Sequence, residues 1–393
     1  MGVTRRALIV GAGIGGLSAG IALRRIGWHI RLFERAASPR ELGFGLALAP
    51  NAVAALGELG VADAVLARSF VPTNLWGEIR RPDGRVLKQV DLPARDALGG
   101  PMAVALRPAL HGALLDAVGD DVITTDSEAS GFEVRNGGVA LRLTSGAVAE
   151  GDVLIGADGI GSTIRCQLHA SESPPRASGL VAIRGAVDGA LQHLGPLSAV
   201  YYMGAGIESA IVRASETSIY WFLSLARGLV PDGLEDAAAI VAHMATQFDD
   251  TFRAITSATT DLRYDALADR DPLHSWGRGP ITLLGDAAHP LLPHTGQGAA
   301  QALVDAVALG KMLSSALPVE AALRSYERER QRKTRALLYQ GRRMAALMRT
   351  RSPVACYLRD VAVRLAPVTS IAKVLVHVNR RAGTAVDHGR DQG

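Results

Sequence analysis

Ala7-Leu8-Ile9-Val10-Gly11-Ala12-Gly13-Ile14-Gly15-Gly16-Leu17 decides the fold: an unbroken apolar run stops at a glycine turn, and a helical pattern begins at once on the far side. The run is short enough for a buried strand, residues 17–26 carry helical spacing, and residues 30–34 are a second strand, so the segment is a βαβ unit. Gly11, Gly13 and Gly16 stand as G-x-G-x-x-G, with Ile14 and Gly15 between the last two. The first glycine permits the tight turn, the second lets backbone approach a pyrophosphate, and the third lets the helix pack on the strand. The helix N-terminus then faces the phosphates. Glu34 closes the second strand at about the 20-residue spacing of an acid that accepts hydrogen bonds from the adenosine ribose. These residues predict a dinucleotide site, with FAD and NAD both still open.

The rest of the composition narrows the class. Apolar residues are 48% and charged residues 20% of 393, enough for two or three lobes with a large core. The charge balance is only +4, and four of the basic residues are lysines (Lys88, Lys311, Lys333, Lys373), so no basic tract reads as a nucleic-acid surface. The densest basic stretch, residues 324–349, alternates with Glu327 and Glu329 and reads as a solvated helix face. Cys166 and Cys356 form neither a metal pattern nor a disulfide framework; no metal is expected, and a reducing cytoplasm suits them. Arg5-Arg6 before an apolar run imitates a twin-arginine leader, yet the glycines interrupt it, and strand, turn and helix are expected in place of a targeting segment or an integral membrane span.

Farther along, Pro82-Asp83-Gly84 marks a hairpin between residues 75–80 and 86–90, and a helix is expected over 108–118. Strands at 132–134 and 139–143 join through Asn136-Gly137-Gly138, with another at 153–155. Residues 180–225 are β-rich and hold Tyr220-Trp221-Phe222; a helix follows at 234–248, a strand at 281–284, and helices at 298–313, 319–348 and 354–376.

Two more motifs resolve the choice of dinucleotide. Gly156-Ala157-Asp158-Gly159-Ile160-Gly161-Ser162-Thr163-Ile164-Arg165 follows one apolar strand, and Leu284-Gly285-Asp286-Ala287-Ala288-His289-Pro290 follows another. With the first fingerprint, they resemble the three signatures of the class A flavoprotein monooxygenases, the para-hydroxybenzoate hydroxylase group that includes salicylate and urate hydroxylases. The resemblance runs from about residue 5 to about residue 350. It implies an α/β fold: a discontinuous Rossmann-type FAD-binding domain (1–72, 100–178 and 266–330), an inserted β-rich substrate domain (73–99 and 179–265), C-terminal helices (331–380) and a loose tail (381–393). It also implies FAD as cofactor, NAD(P)H as a transient reductant that needs no second nucleotide domain, and O2 as co-substrate, with oxygen delivered through a C4a-hydroperoxyflavin to a small aromatic or related molecule.

By the same resemblance, Asp286 after Gly285 meets the ribityl region, Arg107 meets FAD's phosphate and ribityl groups, and Asp158 supports both the FAD site and the reaction with the pyridine nucleotide. Asp158 also reads as a turn aspartate capping the Ser162 segment. Arg35 and the backbone at Ala129 are candidates to line the adenine. The loop through Pro293, Gly296 and Gly298-Ala299 leads into a helix whose unpaired N–H groups would face the anionic edge of reduced flavin. Ala300 departs from the family, where many relatives carry Asn or Cys. On the substrate side Arg184, Tyr220 and His294 are the candidate catalytic residues, and Arg213, Tyr202 and Trp221 candidate pocket residues. The rival readings are an epoxidase, halogenase or reductase on the same fold, or a flavin redox sensor without turnover; the few lysines weigh against a halogenase. A cytoplasmic monomer or homodimer with a small-molecule substrate is the expectation.

Overall fold

A computed structural model describes residues 5–38, 44–93, 98–135, 137–234 and 236–368. Its centre is a five-stranded parallel sheet in the order Ile281–Leu283, Val153–Gly156, Arg6–Val10, His29–Phe33, Ile123–Thr124. Parallel strands covered on both faces must be apolar throughout, and Ala7, Leu8, Ile9, Val153, Leu154 and Ile155 are all fully buried. A three-stranded antiparallel sheet (Ala129–Arg135, Gly138–Leu143, Val148–Gly151) leads into the second strand of this order. The turn residue Asn136 lies outside the described residues.

A seven-stranded sheet forms the second lobe, in the order Leu262–Asp269, Arg176–Asp188, Ser218–Ala226, Ile207–Arg213, Ala199–Met203, Asn74–Arg80, Val86–Pro93. Residues 74–93, distant in sequence, join it through a parallel pairing of Ala199–Tyr202 with Gly77–Arg80. Alternation along each strand gives it two unlike faces. One holds Ile183, Ile211, Trp221 and Leu223 in a core with Phe248 and Phe252. The opposite face carries Arg184, Tyr220, Phe222, Ser224 and Glu208, as the cross-strand pairs Arg184 with Phe222 and Glu208 with Ser224 require. Strands Arg176–Asp188 and Leu262–Asp269 run across the boundaries expected at 178 and 265, because the chain enters and leaves this sheet in mid-strand. A small sheet, Gly45–Leu48, Ala103–Leu106 and Ser69–Phe70, lies between the lobes and donates Phe70 N–H to Ala214.

The helices are α1 (Ile14–Arg25), α2 (Pro50–Leu59), α3 (Ala62–Leu66), α4 (Arg107–Val118), α5 (Thr163–Leu168), α6 (Ala237–Ala245), α7 (Asp250–Ser257), α8 (Gly298–Leu313), α9 (Val319–Met348) and α10 (Pro353–Leu365). The helix expected over 234–248 is α6, shorter at both ends, and α7 follows it beyond the expected range. The first ends at Ala245 with Thr246 as its C-cap, and Asp249 caps the start of the second, its carboxylate accepting Phe252 N–H at 3.0 Å, Tyr202 Oη at 2.8 Å and Arg80 Nη1 at 2.8 Å. Helix α9, about 45 Å long at 1.5 Å per residue, ties the lobes together. Tyr326 donates to Leu283 O at one end, and at the other Arg342 pairs with Asp269 while Arg349 donates to Ser178 O. The solvated face expected there is only partial: Arg328, Arg332 and Arg335 are exposed, but Arg330 and Glu327 are buried and paired, since this helix is wedged between sheet and α8. The helix expected over 354–376 ends at Leu365, where Ala366 leaves the helical range ahead of Pro367; residues 369–380 and the tail 381–393 lie outside the described residues.

Replacing Asp249 with Ala removes a helix cap and strands the buried Tyr202 hydroxyl. A loss of about 2–3 kcal/mol follows, read as a lower urea midpoint at unchanged slope; an unshifted midpoint contradicts the assignment.

Candidate active site

The three motifs meet at the carboxyl edge of the parallel sheet, as neighbouring strands Ile281–Leu283, Val153–Gly156 and Arg6–Val10 compel. Gly11 has φ +98°, and a Cβ there would lie 2.5 Å from Ala157 O; one on Gly16 would lie 1.8 Å from Gly11 O. Gly15 faces Leu284 Cδ2, 2.8 Å from where its own Cβ would stand. Gly13 is the N-cap of α1 and no side chain caps that helix, so its first N–H groups point into the space beyond the turn. Glu34 reaches back from the end of its strand: Oε2 accepts Ala12 N–H at 2.8 Å and Oε1 accepts Ala36 N–H at 2.9 Å. Arg35 is exposed beside it, and Ser127 N–H bonds Glu34 O, bringing the segment that leads to buried Ala129 alongside. His111 of α4 holds the turn from the other side through Ala12 O at 2.8 Å.

Asp158 does act as a cap. Its Oδ2 accepts Thr163 N–H at 2.8 Å at the start of α5, and Ser162 Oγ accepts Arg165 N–H at 2.9 Å. Its Oδ1 is buried without a partner among the described residues, and burial pushes the carboxyl above the usual range against the opposing hydrogen bonds of Ser162, Ile164 and Thr163. Arg165, fully buried, fastens this motif to the next by donating to Ala287 O at 3.0 Å and Ala288 O at 2.9 Å.

Gly285, at φ +61°, donates its N–H to Asp305 Oδ2 at 3.0 Å. That carboxylate is fully buried on α8 and also meets His289 Nε2 and Arg330 Nε, each at 2.6 Å. Burial alone would raise its carboxyl, but the His289 and Arg330 charges prevail and hold it below the usual range. Asp286 is exposed at the head of the loop, Pro293 and Gly296 are exposed, and Gly298 and Ala299 form the first turn of α8, which no side chain caps. Gln297 is buried and bonds Asn51 at 3.0 Å. Ala300 is buried.

The loop and the large sheet touch. His294 Nδ1 lies 2.6 Å from Glu208 Oε2, and Tyr201 donates its hydroxyl to the other carboxylate oxygen. At the far end of the same face Tyr220 closes over Gly45, whose Cβ would be 2.4 Å from the ring. Arg184 pairs with Asp265 at 2.6 Å. Burial pushes the Tyr220 hydroxyl up to about 12, with Arg184 and Arg107 opposing. Arg107 itself begins α4. Tyr202 and Trp221 are not on this face; alternation turns both into the Phe252 core. Arg213 stacks on Phe70.

A family model described as the FAD binding domain matches residues 4–340. This chain belongs to that family. The flavoprotein is 33% identical over 365 residues to aurachin C monooxygenase/isomerase of Stigmatella aurantiaca, covering 91% of this chain and 93% of that one. It is 31% identical to 3-hydroxybenzoate 6-hydroxylase 1 of Aquipseudomonas alcaligenes, covering 82% and 84%. Its fold matches Klebsiella pneumoniae HpxO, solved with FAD and uric acid, at a TM-score of 0.88 and 25% identity over 96% and 97% of the two chains. It is an FAD-dependent monooxygenase, and the residues fit the cofactor: a cradle no Cβ could enter, two helix N-termini without side-chain caps, and an unpartnered carboxylate oxygen on Asp158.

Sequence reasoning missed Asp305, Arg165, His111 and Glu208. A lone acid inside Ala-Leu-Val-Asp-Ala-Val-Ala-Leu was the available signal for the first. Asp305→Asn leaves the buried Arg330 guanidinium without its counter-charge and should cost about 3–5 kcal/mol and loosen FAD. Because the folded carboxyl is depressed, its stabilisation is complete above the unfolded value of about 3.9 and is lost as pH falls through the lower folded value. Thermal midpoints of wild type and variant should therefore converge as pH drops below about 4; a constant gap contradicts this account of Asp305.

Proposed function

We propose that this monooxygenase uses NAD(P)H and O2 to hydroxylate a small, largely apolar aromatic molecule held between the flavin and the Tyr220–Phe222 face of the large sheet. When bound, FAD supplies hydride acceptance and delivery of one oxygen atom. The chain's own residues bind, orient and exclude water. The α1 N-terminus and the Gly11–Gly16 turn receive the pyrophosphate. Glu34 accepts the adenosine ribose, with Arg35 and Ala129 beside the adenine. Arg107 pairs with phosphate, Asp158 shapes the turn, and Asp286 accepts a ribityl hydroxyl. The loop Pro293–Ala299 presents the α8 N-terminus to the electron-rich edge of the ring, where peptide dipoles stabilise negative charge.

The observation that carries the substrate reading is the character of that sheet face. Tyr220 and Phe222 lie 6.4 Å apart on it, and Arg184, its central cation, is already neutralised by Asp265. A half-buried aromatic wall with its charge compensated suits a flat, neutral ring better than a polyanion.

Purified holoprotein should oxidise NAD(P)H faster with a member of a panel of phenols and hydroxylated N-heteroaromatics, giving a product one oxygen atom heavier. No stimulation across the panel, or stimulation without oxygen gain, contradicts the proposal. Asp286→Ala should weaken FAD retention more than Arg184→Ala, measured by flavin content after desalting; equal retention removes the role given to Asp286.

A further inference from the structure

Glu208 and His294 come from different lobes and meet out of solvent, their side chains only 4% and 2% exposed. Glu208 sits in Ile207–Arg213 on the aromatic face, opposite Ser224, and His294 sits in the loop that joins Asp286 to α8. Both carboxylate oxygens are engaged. Tyr201 donates to one, and burial beside Glu208 raises that phenol well above its usual value, so it keeps its proton. The other oxygen, 2.6 Å from His294 Nδ1, therefore takes the Nδ1–H of the imidazole. With Nδ1 directed at that oxygen, the other ring nitrogen, Nε2, is buried and meets no partner among the described residues. Thr295 Oγ1, the next residue along, and Ser224 Oγ, across from Glu208, are likewise buried and unpartnered. Buried polar atoms without partners are rare, and three clustered about one contact mark a place for a polar ligand group.

We propose that His294 Nε2 accepts the proton of an acidic ring O–H or N–H of the substrate, with Glu208 and Tyr201 as the residues that position it. This rests on the aromatic-hydroxylase reading and narrows it to substrates with an ionisable ring hydroxyl or ring N–H. The X–H bond breaks, an Nε2–H bond forms, and no electrons leave either partner. The resulting imidazolium faces the Glu208 carboxylate, while the substrate anion gains electron density at its ring carbons. The one other charge recorded on this cluster is Arg359 of α10, which acts on the Tyr201 phenol and is itself bonded to Asp360 and Gly204 O, and no further ion pair to Glu208 occurs among the described residues.

The test uses FAD-loaded protein at about pH 6 with 4-nitrophenol, whose ionised form is yellow, and its methyl ether 4-nitroanisole, which has no proton to give. Wild type should bind both and ionise the phenol, raising the ratio of phenolate to phenol roughly ten-fold over free solution, one pKa unit. His294→Gln should bind both and abolish that rise, and Glu208→Gln should diminish it, with flavin content checked in each. Should His294→Gln lose FAD, the Glu208→Gln spectrum decides. Binding of the phenol without ionisation in wild type, or equal ionisation in wild type and both variants, overturns the inference and leaves the hydroxylase reading standing. Failure of wild type to bind either probe overturns both.

Discussion

Backbone meets backbone where the Gly11 turn lies on Ala157, and that contact admits no side chain: a methyl group at Gly11 would stand 2.5 Å from a carbonyl oxygen. Every other feature of the nucleotide lobe is arranged around keeping those turns close. The strand order sets them side by side, and α1 closes in through Gly16. Charged residues far apart in sequence then clamp the edges. Arg165 holds the carbonyls of Ala287 and Ala288, and Asp305 holds Gly285, His289 and Arg330 at once. Such buried charges are tolerable only because each is met by partners of opposite sign or by peptide dipoles, and removing one partner leaves the other desolvated and unpaired.

The large sheet solves a different problem. One of its faces must be a core, and Trp221, Phe248 and Phe252 make it so; the opposite face is thereby freed for polar and aromatic chemistry. Two contacts bring that second face onto the nucleotide lobe, Tyr220 over Gly45 at one end and Glu208 on His294 at the other. A monooxygenase has to exclude water while leaving room for a ring, and two point contacts flanking an aromatic wall are one way to do both. Helix α9 fixes the relation between the lobes by bonding the parallel sheet at Tyr326 and the large sheet at Arg342 and Arg349.

What could be read from sequence was what depends on local chemistry. Gly11, Gly13 and Gly16 announce a turn whatever surrounds them, and the apolar spacing of residues 298–313 and 319–348 matches α8 and α9. The Asp249 cap that starts α7 was also local, but an Asp there serves a cap and a solvated face equally well until its partners are known. Pairings across long separations were hidden. Arg165 finds Ala288 at 123 residues and His294 finds Glu208 at 86, and nothing in either neighbourhood names the other. Tyr220 and Trp221 were both candidates for the substrate side, but strand alternation sends them to opposite faces and the sequence does not say which face is core. Glu327 and Arg330 looked like members of a charged surface because periodicity reports a face without reporting what covers it.

The claim on which all of this rests is that three separated segments form one FAD cradle. Hydrogen exchange on apoprotein and FAD-saturated protein tests it directly. Protection should appear together at residues 11–16, 157–164 and 285–301 when FAD is added; protection confined to the first of these, with the other two unchanged, would contradict it.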